Sequence, residues 1–288
     1  MLQWTSAGAV SAPRTVQIRV QRNHPDRIQA GAPEPNRSLS PTELLANLRY
    51  FSEGMSGPRS TPCNRLVLSG IAVSRRPDLP DALSSARSLG FESIILHLST
   101  VDLSANPSVH DVVDHLVVPI PIDPHDRENL GPFLSNCTTS WTALFRTQDE
   151  AHSEPSQLLA DVLRYHPSEV ILSASFPTEP NAPPPNLERM NRWLQACDAA
   201  ERTRPFSWRV QGLPACYLGP HHLRTRRASN RWYVDAEHQM EAALRFFPDV
   251  TQFHKEDGCR FCSADGHCDG FFAQWAGRPE FPPMEPLD

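Results

Sequence analysis

The sequence predicts an α/β protein in which about six parallel β-strands alternate with helices over residues 15 to 178. A cysteine-rich, metal-binding extension is predicted to follow. Short apolar runs recur through the first two thirds of the chain, helical segments separate several of them, and four of the seven cysteines lie from residue 216 onward. Continuous apolar runs are typical of parallel strands covered on both faces. Such βα units form either an open doubly wound sheet or a barrel.

The individual elements follow from periodicity and from helix-start signals. Strands are predicted at residues 15–21, 65–70, 93–98, 115–122, 140–146 and 169–174. Helices are predicted at residues 80–89, 155–165, 186–203 and 235–247, and one more begins after Ser40. Ser40 and Glu43 have the spacing of a capping box, and Pro41 suits the first helical turn. The stretch between His125 and Arg146 is short for a helix plus a strand, so one helix is expected to be trimmed.

Composition excludes several classes of function. A net charge of −6 and a pI near 6.0 disfavour a nucleic-acid partner, because phosphate binding needs a basic field. No apolar run approaches the roughly 20 residues of a membrane span. The first residues lack a basic start followed by a long apolar stretch, so no secretory signal is expected. The expected location is the cytoplasm, where reduced thiols bind metals.

Four cysteines form the most informative pattern in the chain. Cys259 and Cys262 make a C-x-x-C pair, Cys268 follows, and Cys216 lies upstream in a Pro-Ala-Cys segment. Four thiolates suit either a structural zinc ion or an iron–sulfur cluster. The alternative is that these are ordinary buried cysteines or a disulfide pair. Zinc ribbons usually pair two C-x-x-C hairpins, whereas this chain has one, which favours a [4Fe–4S] cluster.

Other residues offer weaker candidates. His221, His222 and His254 flank the cysteines in sequence and could replace one as a ligand. The histidines near predicted strand ends, His97, His115 and His125, could serve a metal hydrolase, although scattered histidines are more often core or surface groups. Asp78 and Asp81 are expected to cap and charge a helix N-terminus. The isolated cysteines are given no chemical role; they are Cys63, Cys137 and Cys197.

Two segments resemble those of a known superfamily. Residues 68–91 contain a strand, an Arg-Pro-Asp-Leu turn and a helix ending in Leu-Gly-Phe. Residues 214–216 and 255–275 contain Pro-x-Cys and Lys-x3-Cys-x2-Cys-x5-Cys-x-Gly followed by aromatic residues. Together they resemble the radical S-adenosylmethionine superfamily, with a SPASM/twitch-like auxiliary-cluster extension. The resemblance implies an N-terminal tail at residues 1–14, a partial (β/α)6 barrel at residues 15–204, and an extension at residues 205–288 that carries the cluster.

Three departures from the superfamily concern S-adenosylmethionine. The family's C-x3-C-x2-C loop corresponds to residues 21–28, which contain no cysteine. The family's Gly-Gly-Glu-Pro corresponds to residues 69–72, here Ser-Gly-Ile-Ala, and the usual ribose and adenine pattern is missing near residues 173–175. The chain therefore looks like a degenerate member that keeps the auxiliary [4Fe–4S] centre on Cys216, Cys259, Cys262 and Cys268. S-adenosylmethionine is not an expected cofactor.

The resemblance implies an accessory role, because superfamily members with auxiliary clusters often modify peptides or small natural products. The expected partner is a catalytically complete radical S-adenosylmethionine enzyme or a peptide substrate, through substrate presentation or electron relay. A basic cluster, formed by Arg224, Arg226, Arg227 and Arg231, is either a solvated loop or a contact for an acidic leader peptide. One alternative is a zinc-stabilised scaffold or binding protein. The other is an independent enzyme using non-radical chemistry at the barrel mouth near His97, His125 and Arg224.

Overall fold

A computed structural model describes most of the chain. The described residues are 3–5, 8–10, 13–21, 37–54, 61–99, 102–103, 112–120, 130–135, 137–147, 154–174, 184–227, 229–246 and 253–288. The chain divides into two compact units. The first unit comprises Met1–Pro119, Glu128–Trp141 and Asn230–Phe246, and the second comprises Ile120–Arg127, Thr142–Ser229 and Phe247–Asp288. The predicted boundary between residues 204 and 205 stays a prediction.

Helices and strands alternate along most of the chain. The α-helices are α1 (Pro41–Glu53), α2 (Leu79–Ser88), α3 (Leu130–Ser135), α4 (Pro155–Leu163) and α5 (Leu187–Thr203). The strands are β1 (Gln3–Thr5), β2 (Gly8–Val10), β3 (Thr15–Arg19), β4 (Arg65–Ser69), β5 (Ser93–His97), β6 (His115–Pro119), β7 (Ser140–Arg146), β8 (Glu169–Ser173), β9 (Trp208–Gln211), β10 (Arg231–Val234), β11 (Leu244–Phe246), β12 (Phe253–His254) and β13 (Phe271–Phe272). Short 3-10 segments lie at Val73–Arg75, Ala215–Arg224, Met240–Ala242 and Asp257–Phe261.

The first unit is built on strands in the order β11-β10-β3-β4-β5-β6, with every neighbouring pair parallel except the antiparallel pair β10–β11. The register places Val16 beside Leu66 and Leu66 beside Ile94, and all three side chains are fully buried. Their neighbours in sequence point to the other face, because side chains alternate along a strand. Helix α1 contributes to the same core, with Phe51 packed against Trp232 of β10 at a ring-centroid distance of 5.9 Å.

The predicted start of α1 is confirmed in detail. The Ser40 hydroxyl accepts a hydrogen bond from the Glu43 N–H at 3.2 Å, and the Glu43 carboxylate accepts one from the Ser40 N–H at 2.8 Å. Pro41 occupies the first turn. The fully buried Asn47 side chain then links α1 to the segment after β10. Its Nδ2 donates to Gln239 Oε1 at 3.0 Å, and its Oδ1 accepts from the Met240 N–H at 2.9 Å.

This capping box makes stability depend on pH in acid. Hydrogen bonds from the Ser40 main chain and from Gln239 lower the pKa of Glu43 from 4.5 to about 2. Because the folded-state pKa is depressed, the ionised carboxylate stabilises the protein fully above pH 4.5 and loses that effect as pH falls towards about 2. The stability difference between the wild type and Glu43→Gln should therefore shrink across this window in urea unfolding. Glu53→Gln, at the exposed end of α1, is the control, and a difference independent of pH would contradict this explanation.

The helix predicted at residues 235–247 is wrong. Asp235 Oδ1 accepts hydrogen bonds from the N–H groups of Glu237 and His238, each at 2.9 Å, which closes a turn directly after β10. Met240 then has φ of 48°, a left-handed conformation that interrupts an α-helix. The chain instead turns back so that β11 pairs antiparallel with β10. At the start of α2, Asp78 occupies the N-cap position and Asp81 lies in the first turn, as predicted. The Asp78 carboxylate makes no capping hydrogen bond, however, and pairs with Arg76 at 2.7 Å instead.

The second unit contains the parallel strands β7, β8 and β9 and the helices α4 and α5. Phe145 of β7 packs against Trp193 of α5 at a ring-centroid distance of 4.8 Å. A small antiparallel pair, β12 with β13, stacks Phe253 on Phe272 at 4.6 Å. The two strands of this pair flank the cysteine loop in the sequence: Cys259, Cys262 and Cys268 all lie after β12 and before β13.

The α/β class with mostly parallel strands is confirmed. The structure has strands at all six predicted positions. Every start agrees, and the ends differ by at most two residues where they are described; residues 121–122 of one predicted strand lie outside the described residues. The shortened helix predicted between His125 and Arg146 is confirmed as α3, which has six residues. Strands β9 and β10 went unpredicted, because each is only four residues long and contains an arginine. In the described part of the chain, no helix has the length and apolar character needed to cross a membrane.

Candidate metal centre

All four cysteines highlighted in the sequence line one cavity in the second unit. Cys216 comes from the 3-10 segment after Pro214, Cys259 from the segment Asp257–Phe261, and Cys262 and Cys268 from the loop that follows. The cavity has a volume of about 290 Å³, part of which is open solvent. Lys255, Asp265, Met284 and Glu285 complete much of its wall. Two separate stretches of chain, one at Cys216 and one from Cys259 to Cys268, therefore bring their thiols to one place.

Tight main-chain turns hold the cysteine loop in shape. The Cys259 N–H donates to Glu256 O at 2.9 Å, and the Cys262 N–H donates to Cys259 O at 3.1 Å. The Cys268 N–H donates to Ala264 O at 3.0 Å. Successive turns of this kind are what a C-x-x-C segment needs to direct both side chains to the same side of the loop. Ala215, Ala264 and Cys268 pack together beneath the loop as a small apolar cluster.

Main-chain N–H groups point at two of the sulfurs. Cys268 Sγ accepts from the N–H of Ala215 at 3.4 Å and from that of Gly270 at 3.3 Å. Cys262 Sγ accepts from the N–H of Leu287 at 3.3 Å. Such donors stabilise a thiolate over a thiol. Hydrogen bonds of this kind also change the reduction potential of metal–thiolate centres.

Burial opposes ionisation of three of the four thiols. Burial, with contributions from the nearby Cys268 and Cys259, raises the pKa of Cys216 to about 11. Burial is also the main reason that the pKa values of Cys259 and Cys268 are raised. These thiols are therefore protonated at neutral pH unless a cation holds them. Metal ligands must be deprotonated, so a metal binding here would displace protons and bind more tightly as pH rises.

A salt bridge and a glycine hold the ends of the cysteine loop. Lys255 Nζ donates to Asp265 Oδ1 at 2.6 Å and to its main-chain oxygen at 3.1 Å, which ties the residues before Cys259 to the turn before Cys268. Gly270 has φ of +93°, and a Cβ at this position would lie 2.3 Å from His254 O. Only glycine fits this close approach without moving the backbone. Both features keep Cys268 beside the other three cysteines.

The end of the chain passes over the same cavity. The Ser263 N–H donates to Leu287 O at 2.9 Å, and the Tyr217 hydroxyl donates to Pro282 O at 2.5 Å. Tyr217 is itself stacked on Phe281 and meets Phe271 edge-on. These contacts were not predicted, because they use main-chain groups that nearly any residue supplies. The proline-rich tail, Pro279 to Pro286, was the only sequence signal of an ordered segment.

The histidines that flank the cysteines face other partners. His221 Nε2 lies 3.3 Å from Asp198 Oδ2, His222 Nδ1 lies 3.2 Å from Gly219 O, and His254 Nε2 lies 3.7 Å from Glu256 Oε1. None of the three lines the cavity. The remaining cysteines are also outside it. Burial raises the pKa values of Cys63 and Cys197 to about 12.

The basic cluster is largely engaged within the second unit. Arg224 Nη2 lies 2.8 Å from each carboxylate oxygen of Glu201, and its guanidinium stacks over the Trp208 ring at 4.5 Å. Arg227 approaches Asp269 at 3.7 Å. Arg226 is exposed. Arg224 is therefore not available as a cation for non-radical chemistry at the barrel mouth. Arg226 is the exposed arginine that could contact an acidic peptide.

The remaining barrel-mouth candidates belong to the first unit or lie outside the described residues. His97 ends β5, whereas His115 begins β6 and its Nδ1 lies 3.1 Å from Ser140 Oγ. His125 and residues 22–28 of the cysteine-free loop lie outside the described residues. The structure therefore brings together neither a histidine pair nor an acid–base pair among the described candidates.

The segment that replaces Gly-Gly-Glu-Pro has its own internal support. Ala72 adopts a left-handed φ of 52°, and its N–H donates to Ser99 Oγ at 3.1 Å. Both oxygens of the fully buried Asp102 are occupied. Oδ1 accepts from the Ser74 N–H at 2.8 Å and Oδ2 from the Ser99 N–H at 2.7 Å. Because both oxygens of the Asp102 carboxylate accept hydrogen bonds from main-chain N–H groups, we assign Asp102 a structural role.

A second group of potential ligands was missed by sequence reasoning. Among the described residues, Asp235, Glu237 and His238 form the one set of three whose ligand atoms all lie within 4.8 Å of one another. His238 Nδ1 is 2.9 Å from Asp235 Oδ1, the atom that already accepts from two N–H groups. The arrangement is accounted for by the turn after β10, so it is not assigned a metal.

Comparisons with known proteins agree with the fold. Neither a protein-family profile nor the sequence of a curated protein matches the chain. Among solved structures, SuiB of Streptococcus suis, a radical S-adenosylmethionine enzyme crystallised with S-adenosylmethionine bound, is similar in fold. The TM-score is 0.60 at 9% sequence identity, and the match covers 95% of this chain and 77% of SuiB. The chain therefore has a radical-S-adenosylmethionine-like fold.

Proposed function

We propose that the protein is a radical-S-adenosylmethionine-like iron–sulfur protein that does not cleave S-adenosylmethionine. In this proposal Cys216, Cys259, Cys262 and Cys268 bind one [4Fe–4S] cluster in a SPASM/twitch-like extension. The protein acts as an accessory partner in the modification of a peptide or natural product, by presenting the substrate or relaying electrons. The observation that carries the proposal is the convergence of four cysteines on one cavity.

The donor set fits an iron–sulfur cluster. Four thiolates are the usual ligands of a [4Fe–4S] centre, and such a centre, when bound, supplies one-electron transfer. The N–H groups of Ala215, Gly270 and Leu287 suit sulfur atoms that carry negative charge. Lys255, in its salt bridge with Asp265, lies in the cavity wall. These residues would hold the cluster, shield it from water and influence its reduction potential.

The spacing of the sulfurs favours a cluster over a single zinc ion. A tetrahedral zinc site with Zn–S bonds of about 2.3 Å brings its sulfurs to about 3.8 Å from one another. Among the described residues, no three of the four sulfurs lie within 4.8 Å of one another, because the only such group is the one at Asp235. In a cubane each thiolate binds a different iron, so the sulfurs stand farther apart. Zinc remains the alternative that metal analysis would detect.

The absence of S-adenosylmethionine cleavage is proposed on the sequence alone. Residues 21–28 contain no cysteine to hold the reactive cluster, and Ser69 to Ala72 replace the Gly-Gly-Glu-Pro segment. The purified protein, reduced under anaerobic conditions, should form no 5′-deoxyadenosine from S-adenosylmethionine above a Cys268→Ser control. Product above that control would return the protein to the catalytically active class.

The accessory role is tested by recovery of its partner. The resemblance supports this role, whereas the basic cluster supports it only weakly, since Arg224 and Arg227 have partners within the chain. Tagged protein recovered from its native host under anaerobic, low-salt conditions should bring with it a radical S-adenosylmethionine enzyme or a peptide. Low salt matters because charge-driven contacts are screened at high ionic strength. Recovery of neither would remove the accessory role while leaving the cluster proposal intact.

A further inference from the structure

The last seven residues, here called the C-terminal strap (residues 282–288), lie against the cysteine cavity. Met284 and Glu285 line the cavity, and the Met284 side chain is buried. The Leu287 side chain packs against the small apolar cluster of Ala215, Ala264 and Cys268. Pro286 lies over the cysteine loop, because a Cβ on Gly258 would be 2.9 Å from Pro286 Cγ. The strap therefore forms part of the wall of the candidate metal centre.

The hydrogen bonds of the strap end on the cysteine loop. The Leu287 N–H donates to Cys262 Sγ at 3.3 Å, while Leu287 O accepts from the Ser263 N–H at 2.9 Å. Leu287 thus donates one main-chain hydrogen bond to Cys262 and accepts another from Ser263, two neighbouring residues of the loop. At the other end of the strap, Pro282 O accepts from the Tyr217 hydroxyl at 2.5 Å, and Tyr217 directly follows Cys216. Both anchors adjoin cysteines of the candidate centre.

The strength of these anchors depends on whether a metal holds the cysteines. Hydrogen bonds to charged acceptors are stronger than those to neutral ones, so a metal-bound thiolate is the better acceptor for the Leu287 N–H. Ligation also fixes the position of Cys262 and Cys216, whereas a free cysteine loop can rearrange. The hydrogen bond from the Leu287 N–H ends on Cys262, and the one to Pro282 O comes from the residue after Cys216, so ligation of these cysteines acts on both anchors.

We propose that the C-terminal strap is a metal-coupled cover, docked over the ligated cysteines and released when the metal is lost. This inference rests on the proposed metal centre, but not on whether the metal is an iron–sulfur cluster or zinc. The docked strap slows metal loss, because Met284 and Glu285 close one side of the cavity. Release uncovers the apolar surface under Leu287 and Met284. The metal-free and metal-loaded proteins then present different surfaces next to the centre.

The proposal is tested by hydrogen–deuterium exchange on the full chain. Two preparations are compared, one loaded with metal and one stripped by a chelator under reducing, anaerobic conditions, with metal content measured in each. Amide exchange at Met284, Glu285, Leu287, Asp288 and Ser263 should be about tenfold or more slower in the loaded protein, the factor expected for hydrogen bonds to charged groups. Exchange in α1 should be the same in both preparations and serves as the internal reference.

A matched pair of variants isolates the hydrogen bond to sulfur. Leu287→Ala and Leu287→Pro both remove the leucine side chain, but only proline also removes the N–H that donates to Cys262 Sγ. Leu287→Pro should release metal to a chelator about tenfold faster than Leu287→Ala, the factor expected for this class of bond. Equal release by the two variants would overturn the proposal.

The two levels of failure are distinguishable. Equal exchange of the strap in preparations with measurably different metal content would overturn the strap proposal and leave the metal centre standing. Failure of the wild type to bind either iron or zinc would overturn both.

Discussion

Replacing Cys268 with serine is expected to remove most of the bound metal and to lower the free energy of unfolding. Cys268 is the most deeply buried of the four cysteines that line the cavity, and its sulfur accepts from two main-chain N–H groups. A serine hydroxyl is a poor ligand for iron or zinc in such a site, which is built for thiolates. Because the free energy of metal binding contributes to folding, the loss should be on the order of several kcal/mol. Metal content and urea unfolding measure the two effects.

Cys137→Ser is the matched control. Cys137 is also partly buried, belongs to the first unit, and its thiol contacts Thr139 O at 3.4 Å, a bond that serine can also make. This variant should keep the metal content of the wild type. Equal metal loss in the two variants, or full retention of metal by Cys268→Ser, would contradict the assignment of Cys268 as a ligand.

Replacing Gly270 with alanine is expected to have a comparably large effect without removing any ligand. The added Cβ would meet His254 O at 2.3 Å and Lys255 Cγ at 2.8 Å, and the φ of +93° disfavours alanine independently. Strain and overpacking of this kind cost about 2 kcal/mol or more. The backbone must therefore shift. The shift should move the Gly270 N–H away from Cys268 Sγ and separate Lys255 from Asp265. Metal affinity and stability should both fall.

Gly266→Ala provides the comparison within the same loop. A Cβ on Gly266 meets nothing within 4 Å, so this variant should be nearly neutral in stability and in metal content. The contrast matters because both substitutions add one methyl group between or beside the same cysteines. If Gly266→Ala lowered stability and metal content as much as Gly270→Ala, the close approach of residue 270 to His254 O would not explain the effect of Gly270→Ala.

Much of the fold could be predicted because its signals are local. The strands β4, β5, β6 and β8 are continuous apolar runs, and α1 begins with a complete capping box. The failure at residues 235–247 has a local cause too. The acidic and alanine-rich composition there suits a helix, but Asp235 binds the N–H groups that would start one, and Met240 is left-handed. Asx turns of this kind compete with helices in a way that composition does not reveal.

The site was predictable where it depends on side-chain identity and unpredictable where it depends on the main chain. The cysteine pattern and the Pro-x-Cys resemblance grouped Cys216 with the C-terminal three. All four line one cavity, and their binding of a metal stays a prediction. The N–H donors from Ala215, Gly270 and Leu287 have no sequence signature, because every residue except proline carries that group. The engagement of Arg224 by Glu201 and Trp208 is likewise a tertiary contact between residues that no local pattern pairs.

The central claim, that the four cysteines hold a [4Fe–4S] cluster, is tested most directly by elemental and sulfide analysis of the wild-type protein. The protein should be purified or reconstituted without oxygen and then assayed for iron, acid-labile sulfide and zinc per chain. We expect about four irons and about four sulfides per chain, with a broad visible absorbance typical of a thiolate-bound cubane. One zinc per chain with no sulfide, or no metal at all, would contradict it.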